Sequence, residues 1–352
     1  MPITPSFVHD LETGMRVIQN QEYDRLVPTV NETWNIAKKI PTSGGAKERL
    51  IWMLDTAGIQ YVDKAGGTVE FEELLSTYTE FEYKAATAGL KINRFKLEDL
   101  DNNGVPGGEG IRQAQAWTRQ VTAQGVYWPR KQVFEALRNG DQTGFVTYDG
   151  KKFFDTAHPN NPLDASAGTF NNVLTGAPSG AYPGAAPIDA SVTLDVAFTN
   201  FAKVLAYIEG ALVMPNGVDP RMLKVAGLWV PSALKVRAQQ LTNAKFIGGS
   251  LGSTDVETTV RNWGVGQPFV APELGAAFTN GSDTSYYIVC EQLTSNELGG
   301  VYYSEREPFG IVYNGEMTDS QLARANEMQW LERGRNVVGY GHPFLIFKVK
   351  AA

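Results

Sequence analysis

The stretch 107-GGEGIRQAQAWTRQVTAQGVYWPRKQVFEALRNG-140 is bounded by glycine at both ends and carries one apolar stripe between them. Ile111, Ala114, Trp117, Val121 and Trp128 share one side of a 3.6-residue period, and Val133, Phe134 and Leu137 follow. The spacing predicts a helix over 108–138, with Ile111, Trp117, Val121, Trp128 and Phe134 as its candidate core. About thirty residues at about 1.5 Å each make a rod of roughly 45 Å. Pro129 removes a backbone donor and crowds the preceding turn, so a kink or a split is expected there. Asn139-Gly140 supplies a C-terminal stop.

On the N-terminal side of this rod the pattern is strand-like. Val69 and Phe71 are followed by Tyr78, Phe81 and Tyr83, and after 86-ATAG-89 come Leu90, Ile92 and Leu97. These predict a long two-stranded excursion over 63–97. An isolated hairpin is marginal in water, so this one must lie against something outside itself. The preceding residues, 1–62, read as an arm with a helix-like segment 29-TVNETWNIAKKI-40 that stops at Pro41.

On the C-terminal side, a loop rich in small residues, 164–187, leads to a second helix across 193-TLDVAFTNFAKVLAYIEG-210. There Leu194, Phe198, Phe201, Leu205 and Ile208 form the apolar stripe and Thr193 is placed to cap it. The span 226-AGLWVPSALKVRAQQLTN-243 reads as a buried strand, a Pro-Ser start and a short helix. Strand-like segments alternate with turns from there to 326-NEMQWLERGRNVVGYGHPFLIFKVK-350. The fold class is α+β, with neither a βαβ rhythm nor an internal repeat.

Composition bounds the function. Hydrophobic residues make up 43% and charged residues 20%, which excludes a disordered chain, and 36 glycines with 18 prolines promise many turns. The net charge is −7 without any Lys/Arg run, so counterion release has no obvious source and specific DNA reading is disfavoured. Cys290 is the single cysteine, in a strand-like setting, and reads as a small buried hydrophobe. No signal-peptide pattern opens the chain and nowhere do eighteen apolar residues run together, so synthesis and assembly are expected in the cytoplasm, away from membranes.

Two stretches tempt a chemical reading. In 148-YDGKKFFDTAHPNNP-162, Asp155 lies three residues from His158, as a metal site or proton relay would need. No further Cys or His is near in sequence, and Pro159 forces extended backbone at the histidine, which suits a rigid turn anchored by Phe153 and Phe154. In 99-DLDNNGVPGGEG-110, Asp99, Asp101, Asn103 and Gly104 match the opening of a calcium loop, but Gly110 stands where a bidentate glutamate belongs. An acidic turn ahead of the long helix is the simpler meaning. Neither G-x-S-x-G nor G-x-x-x-x-G-K-[ST] occurs, so no catalytic, cofactor or metal residue is assigned and no enzyme is expected.

Several blocks, taken in order, resemble the major head subunit of Mu-like phages: 34-WNIAKKIPTSGG-45, 90-LKINRFKLEDLDNNG-104, the glycine-bounded helix, 148-YDGKKFFDTAHPNNPLD-164 with 168-GTFNNVL-174, 226-AGLWVPSALKVRAQQL-241 and 330-WLERGRNVVGYGHPFLIFK-348. The resemblance implies the Hong Kong 97-type capsid fold and a major capsid protein that assembles with itself into hexamers and pentamers of an icosahedral head. It implies an N-terminal arm over 1–62 and an extended-loop hairpin over 63–97. A peripheral domain over 98–185 would carry the spine helix 108–138, an axial domain would span 186–310, and 311–352 would return to the peripheral sheet. Portal, scaffold and decoration proteins are the implied partners, with scaffold supplied in trans, and packaged double-stranded DNA is enclosed without sequence-specific binding. Val69, Phe71, Tyr78, Phe81, Tyr83, Leu90 and Ile92 would then be intersubunit contacts. Two alternatives stay open: an encapsulin-like compartment shell, and a soluble hydrolase using Asp155 and His158.

Overall fold

The computed structural model describes residues 3–53, 76–101, 103–243, 246–247, 256–257, 265–293, 298–315 and 326–350. The chain opens with helix α1 (Pro5–Val30), begun by Thr4, whose hydroxyl accepts from the Phe7 amide at 3.3 Å. A 3-10 turn over Asn31–Asn35 leads into β1 (Ala37–Ile40). The helix expected over 29–40 is therefore corrected: only Thr29 and Val30 are helical, as the end of α1, and the residues after them are turn and strand. The buried face of α1 explains why its period was hidden. It consists of Val8, Glu12, Met15, Gln19, Leu26 and Val30, so polar side chains occupy two positions of the stripe.

Strands β2 (Lys47–Met53) and β3 (Ser76–Glu82) pair antiparallel from Lys47↔Glu82 to Met53↔Ser76. After Tyr83 alone comes β4 (Lys84–Asn93), then α2 (Phe95–Glu98) and the spine, α3 (Gly108–Asn139). The short strands β5 (His158–Pro159), β6 (Thr169–Phe170) and β7 (Val173–Leu174) precede α4 (Leu194–Gly210). Then follow β8 (Leu223–Val230), α5 (Lys235–Asn243), β9 (Phe246–Ile247), β10 (Val256–Glu257) and β11 (Phe269–Val270). Strands β12 (Tyr286–Gln292), β13 (Val301–Tyr313), β14 (Glu327–Tyr340) and β15 (Ile346–Val349) end the chain.

Two sheets organise these elements. The first has the order β1-β13-β14-β4, and the second the order β11-β8-β12-β15-β7. Strand alternation assigns the faces. On β12, Tyr286, Ile288 and Cys290 pack with Phe201, Leu205 and Ile208 of α4, whereas Tyr287 and Val289 pack with Val133, Phe134 and Leu137 of α3. On β14, Met328 and Trp330 meet Val8 and Met15 of α1 and Ala114 and Val121 of α3. The spine thus serves both sheets, its first half under one and its second half under the other. Of the segments over 301–350, β13 and β14 lie in the first sheet and β15 in the second.

The spine spans 32 residues, about 48 Å at 1.5 Å per residue. It runs on through Pro129 and is not split. The turns beside the proline are pinned: Val126 packs with Leu26 and Val30 of α1, and Arg130 makes a forked bond to Glu273 at 2.6 and 3.1 Å. The buried stripe is also rotated from the expected one. Val121 and Phe134 are buried, but Ile111, Trp117 and Trp128 are only half-buried, and Gly110, Ala114, Thr118 and Gly125 take the inner line. Small residues allow close approach there. A side chain at Gly125 would meet Phe309 at 3.3 Å, and the Thr118 hydroxyl stays satisfied by donating to the Ala114 carbonyl at 2.8 Å.

Candidate subunit-contact surface

Strands β2 and β3 form a two-stranded ribbon of their own, separate from both large sheets. Its root is fixed by Tyr83, which is buried although its neighbours in sequence are not. The Tyr83 phenol meets Ser304 Oγ on β13 at 2.6 Å and donates toward Glu48 Oε2 at 2.7 Å, with Thr42 Oγ1 at 3.1 Å. Glu48 also accepts from the Ser43 amide at 2.9 Å. Burial raises the Tyr83 pKa, against the lowering bonds from Ser304 and Thr42, so the group stays a neutral donor. Phe81 lies against Gly339 of β14, where only a glycine leaves room for its ring.

Beyond the root the ribbon is polar on one side. Glu80 accepts from Arg49 at 2.6 Å and pairs with Lys47 at 3.3 Å, and the Arg49 bond foremost holds its carboxyl below the usual range. Arg49 also covers the Tyr78 ring at 4.2 Å from its centroid. Tyr78, on β3, is 56% exposed.

The expected contact residues therefore separate. Val69 and Phe71 lie outside the described residues. Tyr78 faces outward and Phe81 is half-buried at the root. Tyr83 and Ile92 are buried in their own subunit, and Leu90 is half-buried against the core around Trp330. Tyr83 and Ile92 are thereby corrected from intersubunit to internal positions. The cause is pairing: β4 does not fold back on β3 but joins β14, from Lys84↔Asn336 to Asn93↔Glu327. Leu97 is likewise internal, on α2 against Gly107 and Gly110.

The Asp155 and His158 pair is also corrected. His158 is fully buried and its Nδ1 lies 2.6 Å from Asp149, not from Asp155, while Nε2 lies 3.2 Å from the Phe153 carbonyl. Asp155 instead accepts from the Ala157 amide at 3.1 Å, closing a local turn. Burial pushes the Asp149 carboxyl up, but bonds from His158 and Thr147 outweigh it and leave the pKa lowered. Asp101 serves as a turn former: its Oδ1 accepts from the Asn103 and Val105 amides, both at 2.8 Å, and its Oδ2 takes Arg112 at 2.6 Å. The Val105 amide first, and then Arg112, hold this carboxyl below its ordinary value. Among the described residues no group of three or more His, Cys, Asp or Glu is arranged to hold a metal ion, and no helix is long and apolar enough to cross a membrane.

A family model described as Mu-like prophage major head subunit gpT matches residues 8–183, half of the chain. Among solved structures, the capsid of Myoviridae phage XM1 is similar with a TM-score of 0.50 and 8% identity, over 92% of this chain and 92% of that one. The procapsid of bacteriophage JBD30 is similar with a TM-score of 0.46 and 16% identity, over 99% of this chain and 77% of that one. The JBD30 capsid decorated with minor capsid protein trimers is similar with a TM-score of 0.44 and 12% identity, and this chain spans 64% of its length with 91% of its own. No curated protein matches the chain. At these identities the XM1 likeness shows the fold alone.

Proposed function

Because the chain belongs to the family of the Mu-like prophage major head subunit gpT, we propose that it closes an icosahedral shell of hexamers and pentamers in which the β2–β3 ribbon of each subunit grips the next. The protein is a phage major capsid protein of the Hong Kong 97-type α+β fold and belongs to the virion. In the proposed division, the first sheet with α1 and α3 is the peripheral domain, the ribbon is the extended loop, and the second sheet with α4 and α5 is the axial domain. Neither an encapsulin-like compartment shell nor a hydrolase at Asp155 and His158 gains support from the similarities or from the placement of those two residues.

The observation that carries the contact is the ribbon itself: two strands rooted by the buried Tyr83, with Tyr78 exposed beyond. Two isolated strands are marginal in water, so a partner surface has burial to offer them. Covering one Tyr78 side chain contributes on the order of 1.5–3 kcal/mol at each contact. A closed shell repeats that gain at every subunit. A net charge of −7 also suits an inner wall that encloses double-stranded DNA without gripping it. Portal and scaffold proteins, and decoration proteins such as the trimers on the JBD30 capsid, are the proposed further partners.

The pairing register designs the test. Leu50 and Thr79 are opposite each other, so a short Gly-Ser turn joining them removes residues 51–78, Tyr78 among them, and leaves Tyr83 and β4 intact. The shortened chain is expected to keep native-like circular dichroism and to form no closed particles. Closed particles of native stability would remove the ribbon from the assembly contact.

A further inference from the structure

Glu332 stands at a core-facing position of β14, between Trp330 and Gly334, and is 2% exposed. Three elements converge on its carboxyl. Gln19 of α1 donates its amide to Oε1 at 3.1 Å and reaches the Phe309 carbonyl of β13 at 3.4 Å. Gly125 of α3 lies directly above, where a side chain would come within 3.2 Å of Oε1. Across the sheet the neighbours are Ile311 and Ala88. Among the described residues no Lys or Arg is bonded to this carboxyl.

Several charged groups on the surrounding elements pair with one another. On α1, Glu12 pairs with Arg16, and Glu22 pairs with Arg25 and faces Arg119 of α3 at 3.9 Å. Glu307 of β13 takes Arg333 of β14 at 2.9 Å, and Lys91 of β4 takes Glu327 at 2.7 Å. Burial, opposed only by the Gln19 bond, pushes the Glu332 pKa up to about 7. A second carboxyl under the same helix, Glu305, is also raised by burial despite Lys39. It lines a cavity of about 40 Å³ together with Tyr23, Val27 and Phe309.

We propose that the Glu332 carboxyl is a proton-operated latch for α1, holding the helix on the first sheet while it carries a proton and loosening it when it ionises. A protonated carboxyl accepts from Gln19 and fits an apolar site, whereas an ionised one has a single neutral donor to replace its water. The sign follows from linkage. Burial under α1 and α3 raises the pKa from 4.5 to about 7, so the proton's contribution is full below about 4.5, declines as pH rises, and is gone above about 7. Release frees the helix whose inner face carries Gln19 and Glu12, and the shell subunit then exists with its N-terminal helix docked or free according to pH. The latch is a property of the single subunit and holds whether or not the ribbon is the assembly contact.

Hydrogen exchange on the full chain tests this, with protection of residues 5–30 measured against the spine, 108–139, in the same molecule. Between about pH 5.5 and about 8.5, protection of α1 relative to the spine is expected to fall, by up to roughly thirty-fold for the full shift. Glu332→Gln keeps the bond to Gln19 and should flatten the profile, while Glu305→Gln should leave it unchanged. Parallel protection of α1 and the spine in the unaltered chain would overturn the latch, as would a loss that survives in Glu332→Gln or vanishes only in Glu305→Gln. If Glu332→Gln does not fold, the profile of the unaltered chain decides alone.

Discussion

His158 presents both ring nitrogens to acceptors, Asp149 and the Phe153 carbonyl, and stacks on Phe170 with ring centroids 5.2 Å apart. The Asp149 carboxyl is thus buried beside Phe153 with the imidazole as its partner. Removing one member of such a pair costs about 3–5 kcal/mol, because the other charge is left without compensation. His158→Phe is expected to lower the urea midpoint accordingly, and adding Asp149→Leu should recover part of the loss. The partner was not legible in the sequence. Asp155 and Asp149 are both near His158 along the chain, and only the fold brings the second into contact. Asp141 gives a pH prediction. Burial pushes its carboxyl up, but Lys348 at 3.0 Å and Lys350 at 2.9 Å outweigh it and bring the pKa down to about 2. Burial works the other way on Lys348, whose pKa falls against the attraction of Asp141. A carboxyl lowered from 3.8 to about 2 adds stability above the higher value that is lost as pH falls through the lower. About 2 kcal/mol should disappear over that window in acid unfolding, and Asp141→Asn should show no such loss.

Among the elements, those whose apolar period is unbroken were legible: the spine, expected over 108–138 and found over Gly108–Asn139, and the helix at Leu194–Gly210. Helix α1 was not, because Glu12 and Gln19 interrupt its inner face, and the latch at Glu332 explains why a polar residue belongs there. The hairpin was misassigned for a different reason. Alternation marks Tyr83, Leu90 and Ile92 as strand residues but says nothing about which strand they meet, and β14 lies far along the chain. Gly110 marks how tightly the spine is seated. Replacing it by alanine gains about 1 kcal/mol of helix propensity. The added methyl would collide with Leu97 and approach the Lys96 carbonyl at 2.9 Å, and overpacking of that kind costs about 1–3 kcal/mol. Since a main-chain atom cannot easily give way, Gly110→Ala should lower the melting temperature by several degrees. A rise would show that α2 yields.

At the scale of the whole molecule, family membership was legible because the resembling blocks follow one another in order along most of the chain, from 34-WNIAKK-39 to 330-WLERGRN-336. The ends of the sheets were less so. Val301 enters the first sheet and β15 crosses to the second, and such crossovers are settled by packing across the spine and not by local pattern. The subunit therefore consists of two sheets on one helix, with a ribbon that leaves them. An electron cryomicroscopy reconstruction of particles assembled from this chain tests most directly whether that ribbon is the clasp of a shell. The predicted result is a closed icosahedral shell in which each ribbon, Tyr78 included, lies against an adjacent subunit. A shell whose ribbons fold back on their own subunits, or a chain that never assembles even beside its scaffold, would contradict it.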